Sequence, residues 1–500
     1  MLFRNTLAQS GSTLIGYLFS FILAPIMIAR LGLDAFGVWA VTGAFAMYAG
    51  LLDLGIGRSL SRFIAVYEAE GNHKRIPECV GLGVIAVLLV GCVAAVVAAL
   101  AAPFLSDRLG VLDTESMRVV VLAAVAIWTL NGIDGVMSAV GIGMRRMVPP
   151  NVAGTIGISL NFAFSLVALA LSPDLGPYAL ANAAAAAAGL VPSYVALRYV
   201  WDGPRLALPQ RSLVYEVLGF SVKNQLGWLA DLVNLQTDKV VIALMIDVRA
   251  AAAYEIASRV VMAVRSTSIL TISAMIPTAA ARIVREGHEV IRATYGRHTL
   301  RTCAIAFPLF VAASVSAPFL LIGWLGSAPG QSELLVPLLT SAYMVNITTG
   351  VGTSVAIAAG NPGLAASNAV QIAVLNVVLT VALAPLLGLW GVALGTFIAV
   401  SAGSILFNVR FIRQFDLPSR GLLLAVFKPG ALALGLGIAP ALLALAVGVP
   451  SGRAEAVPLL ALSLSLYLLP YWLIATRQGF LPAQLEFRPL RRAQAAAPPS

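Results

Sequence analysis

Charged side chains are concentrated in two consecutive apolar segments near the middle of the chain. The charged residues that fall inside apolar segments are Asp53, Asp134, Lys223, Asp231, Asp238, Lys239, Glu255, Arg259 and Arg265. On a helix, Asp231 and Asp238 lie on one face with Asn234 between them, and Lys239 points about 100° away from Asp238. A charge inside a bilayer is costly unless it faces a protein interior or water. The pattern therefore predicts an aqueous cavity of mixed charge with a cationic component.

The alternative interpretation is a set of structural ion pairs that tie helices together, such as Asp238 to Arg259. Lys223 and Glu255 lie near the ends of their segments, where a long side chain can reach water at the membrane surface. Asp53 is a weaker case of the same kind. Purely structural pairs would be spread more evenly along the chain, so the concentration of charge favours the cavity.

The segments that must position these residues are membrane spans. Of the 500 residues, 59% are hydrophobic and 11% are charged, whereas soluble domains are about 25% charged. Apolar runs long enough to cross a bilayer recur from end to end without the alternation of barrel strands. The chain is thus predicted to be an all-α integral membrane protein. The fourteen predicted spans are 10–29, 36–57, 78–104, 118–142, 151–172, 178–198, 219–245, 252–277, 300–323, 334–358, 364–386, 390–410, 426–448 and 456–475.

Basic residues give the predicted orientation. Of 32 Lys and Arg residues, 23 fall on the side of the N-terminus, five on the opposite side and four within spans. Because cytoplasmic loops carry the excess of Lys and Arg, both termini are predicted to be cytoplasmic. The net charge of +10 is attributed to loops near anionic lipid, not to nucleic-acid binding. The charged segments 58–77 and 279–299 are predicted to be amphipathic helices on that surface.

The chain resembles itself at an offset of about 215 residues. NFAFSLVALALSPDLG (161–176) lies over NVVLTVALAPLLGLWG (376–391), and Trp39 falls on Tyr254. Six spans separate the two copies, so they are predicted to be parallel repeats that form two six-helix bundles about a central site. The predicted organisation is a bundle over 1–200, a cytoplasmic linker over 201–218, a second bundle over 219–411, two additional spans over 412–476 and a disordered cytoplasmic tail over 477–500.

Sequence motifs for catalysis are absent. The chain contains no Walker A, H-E-x-x-H or G-x-S-x-G motif, its three His residues fall in predicted loops, and its three Cys residues show no C-x-x-C spacing. We therefore expect no enzyme, catalytic residue, cofactor or metal site. Transport without ATP hydrolysis leaves facilitated movement or coupling to an ion gradient.

Residues 31–72 closely resemble the opening of polysaccharide biosynthesis flippases. These are the O-antigen and exopolysaccharide translocases of the multidrug/oligosaccharidyl-lipid/polysaccharide exporter superfamily. The residues that carry the resemblance are Gly32, Phe36, Gly37, Trp39, Leu52, Asp53, Gly55, Ser59, Arg62 and Phe63, and NVVLTVALAPLLGLWGVALGTFIA (376–399) is similar to that superfamily's NxxL…GxxGxA pattern. The resemblance implies a MATE-like fold in which spans 1, 2, 7 and 8 face the central cavity.

The resemblance also implies a substrate, a polyprenyl-pyrophosphate-linked oligosaccharide moved by alternating access from the cytoplasmic to the periplasmic leaflet of a bacterial inner membrane. The residues implied to meet the pyrophosphate or acidic sugars are Arg259, Arg265, Lys239, Arg58 and Arg62. Asp231 and Asp238 would carry a coupling proton or Na⁺, with Asn234 and Asp53 as further polar groups of the cavity. Expected partners are membrane lipids and a polysaccharide polymerase or its chain-length machinery.

Two other functions compete with this one. A MATE-like antiporter of drugs or small molecules would favour a cavity dominated by acidic residues. A membrane-embedded polymerase or glycosyltransferase would need a larger outer loop than 105–117, the longest one predicted.

Overall fold

A computed structural model of the chain describes residues 2–50, 55–203, 206–273 and 289–481. Within these ranges the backbone alone is described for 2–10, 13, 58, 222–228, 269–273 and 289–294. The described residues form sixteen α-helices and one short 3₁₀ turn, Ile347–Thr349. The predicted tail over 477–500 lies outside the described residues from residue 482 onwards.

The helices follow one another with short connections. They are α1 (Leu2–Ala49), α2 (Ile56–Ala69), α3 (Arg75–Leu109), α4 (Thr114–Gly143), α5 (Val148–Leu171), α6 (Leu175–Val200), α7 (Arg211–Met245), α8 (Val248–Ser273), α9 (Glu289–Val315), α10 (Ala317–Leu325), α11 (Ser332–Asn346), α12 (Gly350–Ala358), α13 (Pro362–Leu387), α14 (Leu389–Gln414), α15 (Ser419–Val447) and α16 (Arg453–Arg477). The all-helical prediction is confirmed for this part of the chain. Residues 211–218 of the predicted linker are helical.

Eleven helical segments among the described residues are long and apolar enough to cross a membrane, so the chain is a multi-pass membrane protein. One of them is the part of α1 from Leu14 to Ala49, which contains most of the first and second predicted spans. α1 is interrupted between them at Gly32, whose φ of 87° and ψ of 167° are non-helical and suit a residue without Cβ. The charged helices α7 and α8 are not among the eleven. Counting α1 twice and adding α7 and α8 reaches fourteen, which stays a prediction.

In helix α2 the spacing of the apolar residues along the sequence determines which side chains are buried. Its residues Ile56, Leu60, Phe63, Ile64 and Tyr67 are buried, as expected for apolar positions that repeat along one face of a helix. The opposite face is exposed. The amphipathic character predicted for 58–77 is thus present in α2, and its cytoplasmic location stays a prediction. The matching segment 279–299 is described only from residue 289 onwards.

The helices pack mainly against other helices of the same half of the chain, and a smaller set of contacts joins the two halves. In the first half α4 packs on α2, α3 and α6, and α5 packs on α1 and α6. In the second half α13 packs on α7 and α14, α9 packs on α8, α11 and α15, and α16 packs on α10. The two halves meet where α1 contacts α7 and α8 and where α2 contacts α7. Helix α1 holds predicted span 1 and most of span 2, whereas α7 holds span 7 and α8 most of span 8. These are the spans predicted to face the central cavity.

Two asparagines that match at the predicted repeat offset tie neighbouring helices together. The amide of Asn161 on α5 donates to Asn182 Oδ1 on α6 over 2.8 Å. Asn376 Oδ1 on α13 accepts from Thr380 Oγ1 over 3.0 Å and from Thr396 Oγ1 on α14 over 3.5 Å. A buried amide needs such partners, so an asparagine serves the same packing role in each half.

Candidate functional site at the junction of α1, α7 and α8

A cavity with a volume of about 830 Å³ lies between α1, α7, α8 and α11. Its lining includes five charged residues, Asp238, Lys239, Glu255, Arg259 and Arg265. Its other polar lining residues include Ser20, Asn234, Ser258 and Tyr343. The structure thus brings together three of the five predicted cationic residues and two of the predicted polar ones.

Glu255 holds two of the cations in place. Its Oε2 lies 2.7 Å from Lys239 Nζ and its Oε1 accepts from Arg259 Nε over 2.9 Å. The position expected for Glu255, near a span end with its carboxylate reaching surface water, is wrong, because the residue is only 9% exposed. It lies about two turns inside α8, where two partly buried cations need a counter-charge. One carboxylate between two cations leaves a net positive charge.

Arg259 also bridges the two halves of the chain. Its Nη1 donates to Ser20 of α1, over 3.1 Å to Oγ and 3.3 Å to the carbonyl oxygen. Its guanidinium carbon lies 5.1 Å from the ring centroid of Phe36, also on α1. The guanidinium is therefore fixed by a carboxylate, a serine and an aromatic face. The structural pair considered between Asp238 and Arg259 is absent from these contacts.

Arg265 lies six residues further along α8 and lines the same cavity. Helical geometry predicts different faces for Arg259 and Arg265, and the cavity reaches both because it extends around α8. The Arg265 guanidinium carbon lies 5.4 Å from the centroid of the Tyr343 ring on α11. Among the described residues Arg265 forms no ion pair with a carboxylate, so its charge is available to an anion in the cavity.

Asp238 belongs to a cluster of oxygen atoms from four helices. It is 2% exposed. Its Oδ2 accepts from Tyr254 over 2.5 Å and from Thr396 over 2.8 Å, and its Oδ1 accepts from Thr380 over 3.2 Å. Thr396 Oγ1 also lies 3.1 Å from the carbonyl oxygen of Val392. These residues, together with Asn376, form the Asp238 cluster.

The acceptors in the Asp238 cluster outnumber its hydroxyl protons, while Asn376 Nδ2, the other donor of the cluster, finds no hydrogen-bond partner among the described atoms. Three hydroxyl groups supply one proton each, and the acceptors that they face are both carboxylate oxygens, Asn376 Oδ1 and the Val392 carbonyl. Thr396 alone faces three of these acceptors. A cation or an additional proton would relieve this excess. Sequence reasoning singled out Asp238 but missed Tyr254, Thr380 and Thr396 as its partners.

The remaining predicted residues lie apart from the cavity wall or outside the description. Asp231 is exposed and is not part of the lining, whereas Asn234 Oδ1 is buried and finds no hydrogen-bond partner among the described atoms. Arg62 is exposed on α2, with its guanidinium carbon 3.8 Å from the Phe220 ring centroid. The side chain of Arg58 is not described, and Asp53 lies outside the described residues.

A second cavity of about 520 Å³ lies within the first half, between α1, α4, α5 and α6. It shares Ser20 and Arg259 with the first cavity, so these two side chains stand between them. Asp134, which the sequence placed inside a span without a role, lines this cavity and accepts a hydrogen bond from Ser193. We refer to the two spaces as the charged cavity and the first-half cavity.

A family model described as "Polysaccharide biosynthesis protein" matches residues 2–283, which is more than half of the chain. The chain belongs to this family. No curated protein sequence matches it significantly. The family match covers α1 to α8, and therefore every residue of the charged cavity except those contributed by α11.

This member of the polysaccharide biosynthesis family shares its fold with solved structures of other membrane proteins. The lipid II flippase MurJ in an inward closed conformation matches with a TM-score of 0.67 at 12% identity, over 96% of this chain and 100% of that chain. An inward-facing multidrug resistance MATE family transporter of the MOP superfamily matches with a TM-score of 0.66 at 15% identity, over 80% of this chain and 94% of that chain. An outward-facing MATE family transporter matches with a TM-score of 0.55 at 15% identity, over 82% of this chain and 95% of that chain. The predicted MATE-like fold is confirmed.

Proposed function

We propose that this chain is a flippase that moves polyprenyl-pyrophosphate-linked oligosaccharide repeat units across a bacterial inner membrane, from the cytoplasmic to the outer leaflet, for the synthesis of a cell-surface polysaccharide. The observation that carries the proposal is the charged cavity, which holds Lys239, Arg259 and Arg265 between the two halves of a membrane-embedded fold. Family membership and the fold shared with MurJ and MATE transporters support a flippase or transporter.

The chemistry of the charged cavity suits a pyrophosphate. Arg guanidinium groups present paired donors that match phosphate oxygens, and Lys adds a point charge. Glu255, Ser20 and Phe36 fix Arg259 before any ligand arrives, which reduces the ordering cost of binding. A cationic drug would instead meet net positive charge here, which argues against the small-molecule antiporter.

The Asp238 cluster supplies a candidate site for the coupling ion. Carboxylate, hydroxyl and carbonyl oxygens are the donors that hard cations prefer. A single Na⁺ would be coordinated by several of these oxygen atoms at once, whereas one proton on Asp238 would supply the one donor that the hydroxyl groups lack. We propose Na⁺ as the coupling ion, because oxygen atoms from four helices converge on this carboxylate, and H⁺ is the alternative. Helices α7, α8, α13 and α14 all contribute atoms to this site, so its occupancy would affect how the second half packs.

The function is tested by deleting the gene and measuring lipid-linked oligosaccharides by mass spectrometry, with a non-permeant sugar-modifying reagent to report the leaflet. We expect complete single repeat units to accumulate on the cytoplasmic face. Units on the periplasmic face that fail to lengthen would indicate a polymerase. An unchanged lipid-linked pool, in a strain without a second transporter of this family, would contradict the flippase and favour the antiporter.

Complementation of the deletion tests the cavity. Arg259→Ala should leave the repeat units on the cytoplasmic face, because it removes the cation that faces both cavities. Arg413→Ala is the matched control, since Arg413 is exposed in the last turn of α14. Full complementation by Arg259→Ala at normal protein levels would contradict a role for this cation in substrate binding.

A further inference from the structure

The first-half cavity is large enough for a ligand and is built differently from the charged cavity. Its volume of about 520 Å³ lies within the roughly 300–1,000 Å³ of small-molecule sites. Small residues open this space, because Gly154, Gly157, Ala186 and Gly189 leave room between α5 and α6. A Cβ added at Gly154 meets no atom within 4 Å. The space is therefore created by the sequence of two facing helices.

The polar lining of the first-half cavity consists mainly of amides and a carboxylate. Asn131 and Asp134 are three residues apart and line it together from α4, and Asn161 lines it from α5. Asn161 uses its amide nitrogen to bond Asn182, which leaves its oxygen as an acceptor. Among the described residues Asp134 forms no ion pair. Amides and carboxylates exchange hydrogen bonds with hydroxyl groups, and a carboxylate disfavours an anionic ligand.

The apolar lining is rich in aromatic rings. Phe19 and Phe162 stack with their centroids 4.3 Å apart, and Trp39 meets Tyr178 edge to face at 5.3 Å. All four residues line the cavity. The face of an aromatic ring carries partial negative charge, and it attracts the weakly positive C–H face of a sugar ring. Rings beside amides and a carboxylate form a lining suited to a neutral carbohydrate.

Arg259 connects this lining to the charged cavity. It lines both spaces, together with Ser20. A phosphate held by Arg259 from the charged side would therefore place a sugar that is linked to it against the first-half cavity. We infer that the first-half cavity is a binding site for the neutral sugar residues that directly follow the pyrophosphate. This inference rests on the proposed function, because it assigns the sugar portion of the same lipid-linked substrate.

Recognition of the substrate is then divided between two adjoining cavities. The charged cavity binds the pyrophosphate, which is common to all such lipids, and the first-half cavity recognises the sugar. Specificity for the glycan then resides on α4, α5 and α6, away from Lys239 and Arg265. Substitutions in the first-half cavity should change which sugar is accepted without changing the affinity for the pyrophosphate alone.

The test is lipid binding by the full-length protein in nanodiscs, measured by native mass spectrometry. The probes are undecaprenyl pyrophosphate and its derivatives that carry one N-acetylglucosamine, glucose or galactose. We expect at least one of these sugars to tighten binding about tenfold over the bare pyrophosphate, or roughly 1.4 kcal/mol. Gly154→Leu and Ala186→Leu, which fill the cavity, should abolish that difference and leave binding of the bare probe unchanged.

Controls separate failure of the inference from failure of the proposed function. Gly435→Leu is the matched control, because Gly435 is exposed on α15 and an added Cβ there also meets no atom within 4 Å. It should keep the preference for the sugar. Wild-type protein that binds none of the probes would overturn the proposed function. Equal binding of bare and sugar-bearing probes, or a preference that survives Gly154→Leu and Ala186→Leu, would overturn the inference alone.

Discussion

Asp34 and Arg249 form an ion pair between the two halves of the chain and stand at equivalent positions in the predicted repeat. Arg249 Nε donates to Asp34 Oδ1 over 2.6 Å and Nη2 donates to Oδ2 over 2.9 Å, and the two residues are 215 positions apart. This bidentate geometry joins α1, just after its break at Gly32, to the first turn of α8. Both residues lie on the side predicted to face away from the cytoplasm.

Charge reversal tests whether this pair holds the halves together on that side. Asp34→Arg and Arg249→Asp should each move α1 away from the start of α8, because like charges would face each other. The double variant should restore the contact between the two helices. The distance between spin labels on α1 and α8 measures the shift, which we expect to be modest because Arg249 is 74% exposed and water screens the pair.

The control for charge reversal is an ion pair within one half. Glu115 and Arg118 pair over 3.0 Å within α4 and are also exposed. Glu115→Arg should leave the distance between the labels unchanged. A double variant of Asp34 and Arg249 that behaves no better than either single variant would show that the pair does not act as a link between the halves.

Gly37 permits the close approach of α1 to α8 beside this ion pair. A Cβ built on Gly37 would lie 2.5 Å from the carbonyl oxygen of Val248 and 2.7 Å from its Cγ1. Gly37→Ala should therefore lower the thermal unfolding midpoint, at a cost of about 1–3 kcal/mol for overpacking. Gly43→Ala on the same helix, where an added Cβ meets nothing within 4 Å, should not. Equal midpoints for the two variants would contradict this packing.

Glu255 is expected to be needed for stability as well as for binding. Glu255→Gln removes the charge that holds Lys239 and Arg259 and leaves two cations close together. Loss of one partner of a buried pair costs roughly 3–5 kcal/mol, and we expect the lower end because the site lines a cavity. The midpoint of thermal unfolding in detergent measures the loss. The double variant Glu255→Gln/Lys239→Met should recover part of it, since one uncompensated cation is then removed.

The Asp238 cluster predicts that Na⁺ stabilises the protein. Ligand binding to the folded state at 100 times its Kd contributes about 2.7 kcal/mol, so Na⁺ should raise the unfolding midpoint and choline should not. Asp238→Asn should remove this rise, and Thr396→Val should lower the Na⁺ affinity about tenfold, or roughly 1.4 kcal/mol.

Asp231→Asn is the informative comparison for the coupling ion. Asp231 lies two turns before Asp238 on α7 but is exposed, so its substitution should leave the Na⁺ response intact. Loss of the response in Asp231→Asn with retention in Asp238→Asn would assign the ion to the other carboxylate. A midpoint that depends on pH and not on Na⁺ in the wild type would favour a proton.

The sequence was sufficient to predict the helices and the region of the charged cavity. It did not predict which side chains contact one another within that cavity. Hydropathy reveals spans because burial in lipid demands long apolar runs, and charge in α7 and α8 stands out against that background. The partners of Asp238 do not stand out, because Thr380 and Thr396 are common in apolar helices and lie 142 and 158 residues away. Glu255 was misplaced because its position was judged from the span end alone, without the two cations that surround it.

The pair Asp34–Arg249 has a consequence for how the two predicted repeats could have arisen. If two identical chains had once formed this contact about a twofold axis, each residue at this position would have faced its own copy, and a charge there would have been repelled. A single chain is free of that restriction, because each copy of the repeat can change independently. The opposite charges at these two positions of the predicted repeat are thus a feature that fusion of the halves makes accessible and that a symmetric ancestor could not have used.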